Sequence, residues 1–372
     1  MKILVLNCGS SSIKYEVFEK EDSIFHGLIE KIGEKSSKVK NHEQGIKLML
    51  NKLEEKNIRI SSISAVGHRV VHGGLFAKPS LITQKAIDVL EKYSKLAPLH
   101  NPVNLKGIYA MQKALPKVPQ VAVFDTAFHQ TIPEHAFMYA IPYRLYKKEK
   151  IRRYGFHGTS IDYVSQRAAK LLKKPINRLK LIVCHLGNGC SICAIDKGKS
   201  VDTSMGFTPL EGLIMGTRCG DVDPSLTWHL EKQGMKIDDI YGMLNKKSGL
   251  AGISGIGKDM RKLISESKKN KRAKLAIEMF VYRLKKYIGA YAAVLGKVDA
   301  IVFTGGIGEN SALIRNKVCN LEILKVSIDK VKNKKAVKKE EIISSEKSKV
   351  KVLVVPTDEE KMIAIQTAGL IK

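Results

Sequence analysis

The chain has 372 residues, enough for one large or two ordinary domains with complete cores. Hydrophobic residues make up 44% and aromatics 6%, as in an α/β protein, and no apolar run approaches the roughly 20 residues that span a bilayer. Lysine and arginine total 64 against 36 acids, a net charge of +28; this suggests either a polyanion partner or heavily solvated lysine surfaces.

Residues 3–17 read Ile-Leu-Val-Leu-Asn-Cys-Gly-Ser-Ser-Ser-Ile-Lys-Tyr-Glu-Val: an apolar strand, a polar turn and a second strand. The first strand, from Ile3, is too short for a signal-peptide core, so a cytoplasmic location is expected. The turn, with Asn7, Gly9, Ser10, Ser12 and Lys14, exposes backbone N–H groups with little side-chain bulk, which suits phosphate oxygens while Lys14 neutralises charge. The Walker A spacing is absent, and an ordinary hairpin turn fits the segment equally well.

Arg69 follows in Gly-His-Arg-Val-Val-His-Gly-Gly, where glycine and short apolar neighbours argue against a solvated surface position. A strand over Val121–Phe124 delivers Asp125 to its end, where α/β proteins place their chemistry. His157 sits between glycines just before a helix expected over Ile161–Leu172, with Thr159 and Asp162 reading as a capping box. A histidine there could stabilise a transferring phosphoryl group or be a satisfied structural residue.

A second strand–turn–strand occupies residues 182–195, Ile-Val-Cys-His-Leu-Gly-Asn-Gly-Cys-Ser-Ile-Cys-Ala-Ile, and echoes the first. Two copies suggest a duplicated domain clamping a nucleotide, hence a phosphotransferase or ATPase. The chain's six cysteines make no disulfide framework. Cys190 and Cys193 form a C-x-x-C within this strand, where an odd separation sends the thiols to opposite faces, so a metal or redox site is not expected.

Arg218, in Met-Gly-Thr-Arg-Cys-Gly-Asp, could bind phosphate or carboxylate, or form a structural pair with nearby Asp221 or Asp223. Asp223 before Pro224 reads as the cap of a helix over Pro224–Lys232, and another helix is expected over Leu275–Leu295. Strands over Leu181–Cys184, Ala300–Phe303 and Val350–Val355 run into polar or glycine-rich turns. Glu359 falls in a helix first turn capped by Thr357 and Glu360, where the dipole should keep it ionised. The runs Lys268–Lys274 and Lys330–Lys339 lack interleaved aromatics or a nucleic-acid module. We therefore read them as solvated, expect no specific nucleic-acid partner, and take the tract 325–349 as a surface excursion.

Together these segments resemble the acetate kinase family, within the sugar-kinase, heat-shock-chaperone and actin superfamily. The resemblance runs from Asn7 to Glu360 and is strongest over Gly67–Gly74, Pro98–Asn101, Arg153–Ser160, Ser204–Pro224 and Phe303–Asn310. It implies an α/β fold of two duplicated actin-like ATPase (ribonuclease H-like) domains with an interdomain cleft. The expected division is residues 1–128 with 361–372, and residues 129–360, the second domain binding nucleotide and making a homodimer. The implied reaction is reversible transfer of the ATP γ-phosphoryl group to acetate, giving acetyl phosphate and ADP, with Mg²⁺ (or Mn²⁺) as cofactor.

Carried onto this chain, the resemblance puts Asn7 and Glu359 on the metal. Arg69 and Arg218 would hold the carboxylate and the phosphoryl group, with His157 on its equatorial oxygens and Asp125 as the active-site acid. Val71, Leu99, Phe156 and Pro209 match the methyl pocket, with His100 nearby. The nucleotide would contact Ser10, Ser12, Lys14, His185, Leu186, Gly187, Asn188, Gly189, Asp259, Met260, Arg261, Gly306, Ile307, Gly308, Glu309 and Asn310. Departures are Cys8, Ile161, Cys219 and Gly257, where the family commonly has alanine, histidine, serine and serine. The chain is also short for the family, with losses after residues 33 and 311. The nearest alternative is a propionate or butyrate kinase on the same scaffold; Val71 favours the shorter acid, because a smaller residue would open the pocket. A non-enzymatic actin-like module would need no Arg69, His157 and Arg218 set.

Overall fold

The computed structural model describes residues 1–95 and 100–372, so Leu99 of the expected methyl pocket lies outside the described residues. The chain folds as two compact units. The first comprises Met1–Gln130, Phe156–Tyr163 and Asp358–Lys372, and the second Thr131–Gly155 and Val164–Thr357. Phe156–Tyr163 therefore groups with the first unit, where the expected division at residue 129 put it in the second. The backbone explains the difference: Gly158 N–H donates to the Asp125 carbonyl at 2.8 Å.

The first unit holds strands β1 (Lys2–Gly9), β2 (Ser12–Glu19), β3 (Asp22–Ile29), β4 (Ile63–Val70), β5 (Ser80–Leu81) and β6 (Gln120–Phe124) in the order β3-β2-β1-β4-β6-β5. The second holds β7 (Lys180–Leu186), β8 (Cys190–Asp196), β9 (Lys199–Thr203), β10 (Ala300–Thr304), β11 (Glu341–Ile342) and β12 (Lys351–Val354) in the order β11-β12-β10-β7-β8-β9. Read from the other edge, the second order repeats the first. In each sheet an antiparallel meander leads to two parallel neighbours and an antiparallel edge strand. The echo heard in the two hairpins is thus a duplication of the whole sheet.

Both faces of the first sheet are covered. Along β1, Leu4, Leu6 and Cys8 join a core with Ile46, Met49, Leu53 and Met111, from helices His42–Glu55 and Asn101–Ala114. Ile3 and Val5 join Ile363 and Ala364 of helix Glu359–Ile371 on the opposite face. Each such buried aliphatic side chain stabilises by about 1.5–3 kcal/mol. Gly67 lets this last helix lie directly on β4, since a Cβ there would meet Thr367 Oγ1 at 2.4 Å. That packing brings Glu359, the first helical residue, to the carboxyl ends of the parallel strands.

In the second unit β7, β10 and β12 are apolar almost throughout and buried, as strands covered on both faces must be. Helix Lys271–Leu295 presents Ala273, Ile277, Phe280, Leu284, Ile288, Tyr291 and Leu295 as one buried stripe. Its cap, Asn270 Oδ1, accepts Ala273 N–H at 3.0 Å, and Gly296 ends it at φ 67°.

Two expected caps are adjusted and one forms. Helix Gly158–Leu171 starts one residue before Thr159, whose hydroxyl donates to Asp125 Oδ1 at 3.3 Å instead of capping. The final helix is capped by Asp358, which accepts Lys361 N–H at 3.0 Å, not by Thr357. Asp223 does accept the Ser225 N–H at 2.8 Å, with helix Ser225–Lys232 beginning just after Pro224. The 325–349 tract carries more structure than an excursion needs, namely a short helix Lys330–Lys335 and strand β11.

Candidate active site

In the first unit three parallel strand ends lie side by side. Leu6 pairs with His68 and Arg69 with Val123, so Asn7, Arg69 and Asp125 leave β1, β4 and β6 at one edge. Arg69 donates to Asp125 from Nη2 at 2.7 Å and from Nε at 3.3 Å. Its Nε also stands 3.3 Å from Glu359 Oε2. Lys14, opposite Asn7 across the β1–β2 hairpin, reaches Glu360 Oε2 at 2.9 Å. Residues far apart in the chain therefore form one charged cluster.

Electrostatics in this cluster oppose each other. Burial works against the Arg69 cation, but Asp125 and Glu359 outweigh it and raise its pKa above the usual arginine value. Burial, joined by the Asp125 and Glu360 charges, raises Glu359 above the ordinary carboxylate range although Arg69 opposes. Asn7, Asp125 and Glu359 offer hard oxygen donors beside an excess of carboxylates, a donor set that suits Mg²⁺. Among the described residues no group of three or more His, Cys, Asp or Glu forms a ready-made metal site. Mg²⁺ bound through one or two carboxylates and substrate phosphates needs none.

His157 sits at the start of helix Gly158–Leu171 with φ 58°, a conformation uncommon outside glycine. Two contacts hold it there. A Cβ on Gly158 would meet the Asp125 carbonyl at 2.3 Å, so only glycine fits the next position. On the other side His129 Nε2 donates to the Phe156 carbonyl at 3.0 Å, and burial lowers its pKa to about 4, so the ring is neutral.

The residues of this unit expected at a methyl pocket are similarly braced. Val71 N–H donates to Asn104 Oδ1 at 3.1 Å and His72 N–H to Asn101 Oδ1 at 3.0 Å, while the buried His72 ring packs edge-on against Phe156 at 5.8 Å. His100 immediately precedes helix Asn101–Ala114. Sequence reasoning missed His72, Asn101, Asn104 and His129 as supports; the signal available was the Asn-Pro-Val-Asn start of that helix.

The second unit gathers most of the expected nucleotide segments. A cavity of about 750 Å³ is lined by Gly187, Asn188, Asp259, Met260, Arg261, Gly306, Ile307 and Asn310, and also by Lys258, Ile264, Ser311 and Lys338. The Gly187 turn nearly touches the short helix Gly305–Asn310; a Cβ on Gly187 would lie 3.9 Å from Gly306 N. Gly305, at φ 75°, has no room for a side chain against the Leu186 carbonyl. His185, Leu186, Gly189, Gly308 and Glu309 do not line the cavity. Glu309 Oε1 instead accepts Gly305 N–H at 2.8 Å and Thr357 N–H at 3.1 Å, tying the start of that helix to the segment after β12. In the first unit Ser10 is exposed and Ser12 begins β2.

Arg218 behaves opposite to Arg69. The pairing weighed for it with Asp221 or Asp223 does not form. Asp221 takes Arg283 at 3.2 Å and Tyr287 at 2.8 Å. Arg218 Nη1 donates only weakly, to the Pro209 carbonyl at 3.3 Å and Met215 Sδ at 3.6 Å. Among the described residues no carboxylate pairs with it, and burial lowers its pKa. A partly buried guanidinium without a counter-anion is prepared to take one from a ligand. Cys190 and Cys193 are both buried on β8; burial pushes Cys190 up to about 12 and raises Cys193 too, so both thiols stay protonated.

The comparisons with known proteins agree over the full length. The acetokinase family model matches residues 2–365. The chain is 53% identical to the acetate kinase of Thermoanaerobacter pseudethanolicus, covering 100% of this chain and 99% of that protein. Among solved structures, Porphyromonas gingivalis acetate kinase superposes with a TM-score of 0.95 at 46% identity, covering 100% of both chains. A propionate kinase from Francisella tularensis gives 0.93 at 44% identity, covering 99% of each. Matched by that family model almost from end to end, and half identical to full-length relatives, this chain belongs to the acetokinase family.

Proposed function

We infer that the chain is an acetate kinase, transferring the γ-phosphoryl group of ATP to acetate and returning it in the reverse direction. The observation that carries this reading is the end-to-end match with curated acetate kinases. Phosphoryl transfer has a loose transition state, so positioning and positive charge count for more than a covalent nucleophile. An acetate oxygen forms the new bond to phosphorus as the bond to the β-phosphate oxygen breaks, and ADP carries away that electron pair. Acetate is already ionised near pH 7, so no proton need be removed.

In the first unit Arg69, oriented by Asp125, holds the acetate carboxylate, with Val71 and Phe156 against its methyl group. His157 donates a hydrogen bond to an equatorial phosphoryl oxygen, and Lys14 faces the phosphate chain. In the second unit Arg218 takes the charge of the transferring group, Pro209 supports it, and the cavity between the Gly187 turn and helix Gly305–Asn310 receives the nucleoside. Asn7 and Glu359 would hold Mg²⁺, which when bound would neutralise phosphate charge.

We also propose a homodimer formed through the second unit. Helices Ser225–Lys232 and Ile237–Lys246 expose Trp228 at 61%, Ile237 at 56% and Tyr241 at 42%, large apolar side chains that a second copy would cover. A cytoplasmic setting without membrane or specific nucleic-acid partners fits a small-molecule enzyme. Among the described residues no helix is long and apolar enough to cross a membrane.

The likeness to a propionate kinase keeps that substrate as the second reading. The reverse reaction tests the main one: acetyl phosphate and ADP should yield ATP in a luciferase-coupled assay. A higher kcat/KM with propionyl phosphate would replace acetate by propionate.

A further inference from the structure

The lysine run at residues 330–339 is fastened from two sides. Arg315 is fully buried and spends its guanidinium on neutral acceptors. Nε donates to Asn333 Oδ1 at 2.7 Å, and Nη2 to the carbonyls of Asn333 at 2.6 Å and Ala336 at 3.2 Å. Nη1 donates to the carbonyls of Gly308 at 2.8 Å and Glu309 at 2.9 Å. One buried side chain thus ties the end of helix Lys330–Lys335 to the short helix Gly305–Asn310, whose Gly306, Ile307 and Asn310 line the nucleotide cavity. On the far side Glu340 takes a bidentate fork from Arg167 at 2.5 and 2.8 Å, and Lys339 pairs with Glu341 at 3.2 Å.

Between these anchors stands Lys338, which lines the same cavity. The next residue, Lys339, is committed to Glu341, and Glu340 to Arg167; among the described residues Lys338 is in no ion pair. A lysine that only kept the surface solvated would need neither the Arg315 latch nor the Glu340 fork. We propose that Lys338 is a nucleotide-binding residue, its ammonium donating to an acceptor atom of the bound nucleoside phosphate, and that Arg315 with Asn333 holds it at the cavity. The proposal rests on the reading that this cavity receives the nucleotide. It accounts for part of the lysine run that the sequence alone left as solvated surface.

Calorimetric titration with ADP tests it, on the full chain as wild type, Lys338→Met and Lys334→Met. Lys334 belongs to the same run but does not line the cavity, so it controls for the general positive field. ADP should bind Lys338→Met about fivefold more weakly, as expected for loss of one partly solvated ionic contact. It should bind Lys334→Met as tightly as wild type. Asn333→Ala, which loosens the latch, should weaken ADP in the same direction as Lys338→Met. A parallel titration with adenosine locates the contact: loss with both ligands places it on the nucleoside, loss with ADP alone on the phosphates. In steady state the change should appear in KM for ATP rather than KM for acetate. Equal affinity of wild type and Lys338→Met would overturn the proposal, as would equal weakening by Lys334→Met. Failure of wild type to bind ADP at all would instead sink the nucleotide reading of the cavity.

Discussion

Arg69 grips Asp125 through both arms of its fork, with the shorter contact, Nη2 to Oδ2, at 2.7 Å. Asp125 also accepts the Thr159 hydroxyl and, through its carbonyl, the Gly158 N–H. It is therefore the residue through which Arg69 and the helix bearing His157 are kept in register. Asp125→Asn keeps the shape but loses the charge that orients the guanidinium. We expect kcat to fall about 10²-fold or more, as when a preorganised electrostatic partner is removed, with the circular dichroism spectrum unchanged. Wild-type turnover in the variant would remove Asp125 from this role.

Glu359 gives a pH prediction. Its folded-state pKa is raised above the ordinary 4.5 by burial and by neighbouring carboxylates. The folded protein therefore holds this proton more tightly than the unfolded chain does. The resulting stability is fully present below the unfolded value and is lost as pH rises through the folded one. Glu359→Gln, a mimic of the neutral form, should melt higher than wild type at neutral pH, and the gap should close as pH falls below the unfolded glutamate range. Activity should be lost in the same variant if Glu359 holds the metal. A melting temperature below wild type at neutral pH would show that the ion pair with Arg69 outweighs the burial.

Among the described residues Arg218 has no carboxylate partner, so its removal leaves no orphaned charge behind. Arg218→Ala should lower kcat by about 10³-fold, the scale of one lost charge-assisted contact to the transition state, while ADP affinity stays near wild type. Arg218→Lys should restore little, since a point charge cannot reproduce a planar fork. Parallel loss of ADP binding would mean that Arg218 supports the nucleotide cavity instead of the transferring group.

Acyl-chain choice should respond to Val71. Its backbone is pinned by Asn104, so truncating the side chain enlarges the pocket without moving the strand end. Val71→Ala should shift the propionate-to-acetate ratio of kcat/KM upward by about tenfold, the lower end of what one methylene is worth. An unchanged ratio would place the methyl group elsewhere.

Much of this arrangement was legible in the chain itself. Apolar runs on either side of the Asn7–Lys14 and His185–Gly189 turns revealed both hairpins, because short apolar strands and glycine-rich turns are local signals. Asp125 could be placed at a strand end for the same reason. Pairings between distant segments were not legible. Arg218 has Asp221 and Asp223 close in sequence, yet Asp221 is taken by Arg283 and Tyr287 from a long helix, contacts fixed only by packing. The short helix Lys330–Lys335 was equally hidden: it has little apolar periodicity and depends on the buried Arg315–Asn333 contact. Glu359 showed its first-turn position but not its desolvation, which comes from the strand ends beneath it.

The most direct measurement is hydroxamate formation by the purified chain with ATP, Mg²⁺ and either acetate or propionate. The expected result is ATP-dependent acetyl hydroxamate with a higher kcat/KM for acetate, abolished by Arg218→Ala. Absence of acyl hydroxamate from either acid, with ADP still bound, would contradict the assignment.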